Sequence, residues 1–226
     1  MANSVVLNGA VNLLSTRQGL AAAGKMFTVT NPTPGTAIAY ANQTSFSATA
    51  NGLFSISNSN ATGGANIILD KLWLKPTATA PTGTLTLRLE TYLESAITAL
   101  TTLAVARTPI NLNSGSTNTT GATVTTFAAG AGTVPAAVGT RRLTNVVGGP
   151  TGVTVAHDEF TYDFSGDQPS FKNGGAAARA TDPAAFQFAA SPVIVAPGHT
   201  AFLNLWWVTS GVNVPSFEFA LNYIEL

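Results

Sequence analysis

The sequence predicts an all-β protein, an antiparallel two-sheet sandwich of jelly-roll type. Three observations carry that expectation. Apolar residues recur with a period of two, Gly-, Pro- and Asn-containing turn signals separate those runs, and helical periodicity is nearly absent. Eight to ten such strands without intervening helices suit two packed sheets.

In chain order, residues 1–24 mix Val, Leu, Ala and Asn and precede the first strong strand. They are either a first strand or an arm reaching a neighbouring subunit. On the arm reading, Val5 and Leu7 are contact candidates. Residues 5–14 and 94–101 are the two candidate short helices, both too short to organise a fold. Residues 25–226 form one domain, with strands expected near 26–30, 36–41, 52–57 and 66–74. Thr84-Leu85-Thr86-Leu87-Arg88-Leu89-Glu90-Thr91-Tyr92-Leu93 is the clearest strand, with Leu85, Leu87, Leu89 and Leu93 on one face and polar residues on the other. Residues 113–140 are almost all Ser, Gly, Thr, Asn and Ala, which suits a long loop with one strand at Ala122–Phe127. Further strands are expected near 141–147, 152–156 and 185–195. Phe160, Tyr162 and Phe164 share one strand face, and Phe217, Phe219, Leu221 and Tyr223 share another. In Ala201–Val208, the set Ala201, Leu203, Leu205 and Trp207 faces the core, which puts Phe202, Asn204 and Trp206 outside. Asn31-Pro32-Thr33-Pro34-Gly35, Thr62-Gly63-Gly64, Ala80-Pro81-Thr82-Gly83, Gly148-Gly149-Pro150 and Ala196-Pro197-Gly198 supply the turns.

Charge is the unusual feature. Ten basic residues balance ten acidic ones over 226 residues, so charged residues make up 9% of the chain, against about 25% in typical domains. A chain of this size buries about 70% of its surface on folding, so a core forms without disulfides or metal. A neutral chain lacks the self-repulsion that keeps monomers apart, and a hydroxyl- and amide-rich surface is covered without much ionic desolvation. Both favour an oligomer or assembly component over a monomer with a hydroxyl-rich β surface. With no basic run, nucleic acid is not an expected partner. No apolar stretch reaches 18 residues, so no membrane span is expected. Cys is absent, which removes thiol chemistry and thiolate metal sites. The start has no cation before Arg17, a poor secretory signal, so synthesis in a cytoplasm is expected.

Little in the sequence resembles a catalytic centre. No Gly-x-Ser-x-Gly elbow exists, and His199, after Pro197-Gly198, reads as a turn residue. His157-Asp158-Glu159, with Asp163 and Asp167, contains metal-ligand types, yet alternation splits them between the two strand faces. The calcium-loop test on Asp163–Asp167 fails, because Gln168 and Gly174 stand where Gly and a carboxylate are needed. Gly148–Gly152 lacks the Lys-Ser/Thr ending of a phosphate loop. The chain is therefore expected to be no enzyme, with no cofactor and no metal. Contact residues are the better candidates: Trp206 and Tyr92 as outward aromatics, Arg88 beside Tyr92, and the basic pair Arg141 and Arg142.

Two stretches look like virion proteins of tailed bacteriophages. One is Ile67–Leu74 followed by Pro81-Thr82-Gly83-Thr84-Leu85-Thr86-Leu87-Arg88-Leu89-Glu90. The other is Val195-Ala196-Pro197-Gly198-His199-Thr200, then Leu203–Val208 and Ser216-Phe217-Glu218-Phe219. The resemblance covers roughly residues 30 to 226. It implies a β-sandwich head-decoration (cement) protein, trimeric, located on the capsid surface of a virion and gripping the major capsid protein. A receptor-binding, fibre or neck module holding host glycan through Trp206, Tyr92 or Trp73 is the alternative. A hydrolase with a carboxylate pair is a third.

Overall fold

Alternating strands with one apolar face can bury that face only against another sheet, and the chain does this. The computed structural model describes residues 4–7, 10–13, 16–31, 33, 35–36, 38–39, 54–78, 87–94, 104–127, 142–145, 159–164, 170–172, 193–207 and 216–226. One sheet runs, edge to edge, through β11 (Arg142–Asn145), β7 (Leu87–Glu94), β15 (Thr200–Trp207), β5 (Phe54–Asn58), β10 (Ala122–Phe127) and β8 (Ala104–Arg107). The other runs through β13 (Ser170–Lys172), β12 (Glu159–Asp163), β6 (Ile67–Ala78), β16 (Ser216–Glu225), β3 (Met26–Thr30) and β9 (Ile110–Asn111). On this second sheet β14 (Ile194–Val195) also pairs with β6, and β4 (Ile38–Ala39) with β16. All pairings are antiparallel. This order defines a two-sheet sandwich, as the alternation predicts; it does not by itself define a jelly-roll connectivity.

The core lies between the sheets. Ile56, Val124, Ala201 and Leu203 from the first meet Val29, Leu69, Leu72, Leu74, Tyr162, Phe219, Leu221 and Tyr223 from the second in one buried cluster. Along β16 the predicted face is the buried one: Phe217, Phe219, Leu221 and Tyr223 are buried while Glu218, Ala220 and Asn222 are half-exposed. Strand β10 coincides with the segment expected inside the 113–140 loop. Residues 128–140 and 152–156, and most of 185–195, lie outside the described residues.

Three expectations are corrected. Residues 5–14 are not a helix: β1 (Ser4–Leu7) and β2 (Ala10–Leu13) form a two-stranded sheet of their own, in the register Leu7↔Ala10. Val5, Val6 and Val11 are stiff β-branched residues, and Asn8-Gly9 is the dipeptide a two-residue hairpin connection favours. The hairpin thus stands apart from both sheets of the sandwich. Glu94, the start of the other candidate helix, ends β7, and the rest of that segment is not described. Phe202, expected outside, is buried, as are Ser55, Ser57 and Thr200 on the same side of the sheet. Both faces are therefore covered where β5 and β15 meet.

The one described helix, α1 (Thr16–Ala22), was not legible in the periodicity. It contacts β3 on the outer face of the second sheet, where the outward pair Met26 and Ile224 is buried. Among the described residues no helix is long and apolar enough to cross a membrane.

Candidate functional site

Helix α1 is pinned at both ends, and the way it is pinned organises the surface. The register of β6 against β16 slips from Asn222↔Lys71 to Tyr223↔Leu69, leaving Asp70 as the extra residue of a bulge. That slip turns Asp70 to the outer side beside Asp163, which pairs with Lys71 across β12. Both carboxylates are almost fully buried. Arg17, in the first turn of α1, donates from Nε to Asp70 Oδ1 at 2.9 Å and from a terminal nitrogen to Asp163 at 3.1 and 3.2 Å. Lys71 Nζ lies 3.3 Å from Asp163 Oδ2. Two acids and two bases therefore cancel. Burial pushes the Asp70 carboxyl above its ordinary value, and the Arg17 guanidinium opposes that push.

At the other end, Lys25 N bonds Leu20 O and Gly24 N bonds Ala21 O, with Gly24 at φ +66°. This paired closure is the Schellman helix ending. A loop after β9 satisfies the carbonyls beyond it. Asn113 Nδ2 donates to Ala22 O, Asn118 Nδ2 to Ala23 O and Gly24 O, and Asn111 Nδ2 to Gly24 O. Part of the chain's Asn richness is thus consumed internally. Asn58 and Asn31 are used likewise: buried Asn58 donates to Ala65 O and Val195 O, and Asn31 accepts from Phe219 N. The carboxylate of Glu225 accepts from Asn60 Nδ2 and Gly121 N.

Strands β8 and β9, close in sequence, end the two sheets on the same side of the sandwich. Here Val105, Ile110 and Leu112 are exposed at 45%, 59% and 44%. They account for three of the five exposed large hydrophobic residues described. From Thr108 to Thr140 the chain carries no charged residue. The single charge on this edge, Arg107 at the end of β8, donates from Nε to Thr126 Oγ1 at 2.7 Å. Among the described residues no further strand pairs with β8 or β9, so the edge is a site for pairing with another chain.

A second feature lies on the outer face of the same sheet. The register row Thr161–Trp73–Ala220–Thr30 places half-buried Trp73 next to a small residue. A hollow of about 250 Å³ opens there, lined by Trp73, Thr30, Asn31, Gly35, Glu218 and Ala220 among others.

The contact candidates read from the sequence fall as follows. Register pairs Trp206 with Arg88, and Tyr92 with both Phe202 and Arg142, so these positions share one side of the first sheet. Their side chains lie outside the described residues, as does Arg141 altogether. Val5 and Leu7 lie in β1, opposite Asn12 and Ala10. His199 is a turn residue, its Nδ1 3.0 Å from Pro197 O. His157 and Asp167 are outside the described residues, and among those described no cluster of metal-ligating residues occurs. Sequence reasoning missed Val105, and it missed Ile110 and Leu112, whose signal was the uncharged run after Arg107. It also missed Arg17 and Asp70, isolated charges within otherwise apolar text. No protein-family model, curated protein or solved structure matches the chain.

Proposed function

We propose that this chain is a non-enzymatic structural protein of a phage virion that binds the major capsid protein and stabilises the shell as a decoration protein. The observation that carries the reading is the weakly charged, apolar edge at Val105, Ile110 and Leu112. Covering such an edge with protein removes apolar surface from water, and its one charge, Arg107, already has a hydrogen-bond partner within the chain in Thr126. The buried ions of the outer face are matched within the chain by Arg17 and Lys71, so they need no partner. The sandwich fold, the neutral composition and the resemblance to tailed-phage virion proteins support the same reading. Repeated on a shell, modest contacts gain strength from avidity.

The test is copy number in purified virions of the phage encoding the chain, measured by quantitative mass spectrometry against the major capsid protein. Hundreds of copies in simple ratio are expected. A dozen would move the protein to neck, tail or fibre, and absence would end the virion reading. The hollow beside Trp73 favours a second reading, a module that stacks host-surface glycan on the indole. On that reading Trp73→Ala abolishes glycan binding in a glycan-array or calorimetric assay.

A further inference from the structure

We infer that the β1–β2 hairpin of one copy of this chain seats on the Val105–Leu112 edge of a second copy, head to tail. The inference rests on the reading of the chain as an assembly protein and names one of its partners.

The hairpin supplies the occupant. Among the described residues it pairs with neither sheet of the sandwich, and a two-stranded sheet alone is marginally stable in water. Its register pairs Val6 with Val11 and Leu7 with Ala10, and Val5 and Leu13 add to its apolar content. No charged residue occurs from Met1 to Thr16. The hairpin therefore needs apolar cover and brings no ion into it.

The edge supplies the seat. Strand β8 has four residues and ends the first sheet, as many as each strand of the hairpin. Among the described residues no strand pairs with its outer side, Val105 and Ile110 are exposed beside it, and its one charge, Arg107, is held by Thr126.

Helix α1 sets the direction. Its first turn is tied to β6 and β12 through Arg17, and its last residues are tied to the loop after β9 through Asn113 and Asn118. Two residues link the hairpin to the first turn, so the hairpin leaves near β12, while the open edge lies at the far, β9, side of the same sheet. Four strand spacings separate β12 from β9, about 19 Å. The point where the hairpin joins α1 and the acceptor edge thus lie towards opposite sides of the second sheet. A contact between unlike surfaces propagates from copy to copy, and it closes as a ring when the rotation permits.

Complementation of two defective variants tests this. The full chain is expected to be oligomeric by light scattering after size exclusion. Deletion of residues 1–14, which leaves Arg17 in place, removes the donor. Val105→Lys with Ile110→Lys removes the acceptor. Each variant alone is expected at its monomer mass, close to 23.1 kDa for the lysine variant and smaller by the fourteen missing residues for the deletion. Mixed, they retain one good donor and one good acceptor between them, so they form a 1:1 pair and stop there. A monomeric full chain, an oligomer that survives either change, or a mixture that stays monomeric would each overturn the inference. Thermal melts check folding, and Val105→Ser with Ile110→Ser replaces the lysine variant if that one is unfolded. A monomeric chain present at hundreds of copies per virion sinks this inference alone. Head-to-tail pairing by a chain absent from virions sinks the virion reading alone.

Discussion

Replacing Arg17 by Met removes the one guanidinium that faces both Asp70 and Asp163 while keeping most of the side chain's apolar stem. The carboxylates stay behind with side-chain exposures of 4% and 5%, and Lys71 Nζ remains 3.3 Å from Asp163 Oδ2. Breaking a buried ion pair from one side costs about 3–5 kcal/mol, because a charge is left uncompensated. Arg17 itself is 35% exposed, so water screens part of the interaction, and a loss of about 2–3 kcal/mol is expected at pH 7. For a chain of this length that is a fall in Tm of roughly 5–10 °C. The pH dependence identifies the cause. Asp70 already has a raised folded-state pKa, chiefly from burial, with Arg17 holding it down. A raised carboxyl contributes stability that is fully present below its unfolded value and is lost as pH rises through its folded value. Without Arg17 the folded value climbs further, so the variant loses more as pH rises. The deficit is therefore large at pH 7 and shrinks towards pH 4 and below, where the Asp70 carboxyl takes up its proton and the missing guanidinium matters less to it. Urea unfolding of both proteins across that range measures it. A deficit that is independent of pH, or below about 0.5 kcal/mol at pH 7, would refute the reasoning.

Two further perturbations probe the frame around this helix. Gly24→Ala should cost about 1–3 kcal/mol, since Gly24 has φ +66° and a Cβ there would meet Ser116 Oγ; Gly63→Ala, also at positive φ but with open space around it, should cost less in the same thermal melts. Tyr162 is fully buried with its hydroxyl unpartnered among the described residues; Tyr162→Phe should be neutral or stabilising by about 1 kcal/mol, and a clear loss on calorimetry would show that the hydroxyl has a partner.

The β content and the inward faces were legible because the side-chain period of a strand is a local property of the chain. Phe217, Phe219, Leu221 and Tyr223 could be assigned to a core from their spacing alone, as could Ala201 and Leu203. The uncharged character of the surface was equally readable, because composition needs no fold. Where tertiary structure decided, it did so through contacts between residues far apart in sequence. Arg17 meets Asp163 across 146 positions, and Asp70 faces outward only because β6 bulges against β16. The seven-residue helix α1 is below the length at which a helix stands alone. It forms because Arg17 and the asparagines of a loop some ninety residues away hold its two ends. Phe202 followed the alternation rule and was still buried, since exposure depends on what covers a face and not on which face a residue takes. The edge at Val105 and Ile110 is likewise a matter of strand order: which strand lies last in a sheet is fixed by pairing between distant segments, and a local period carries no record of it.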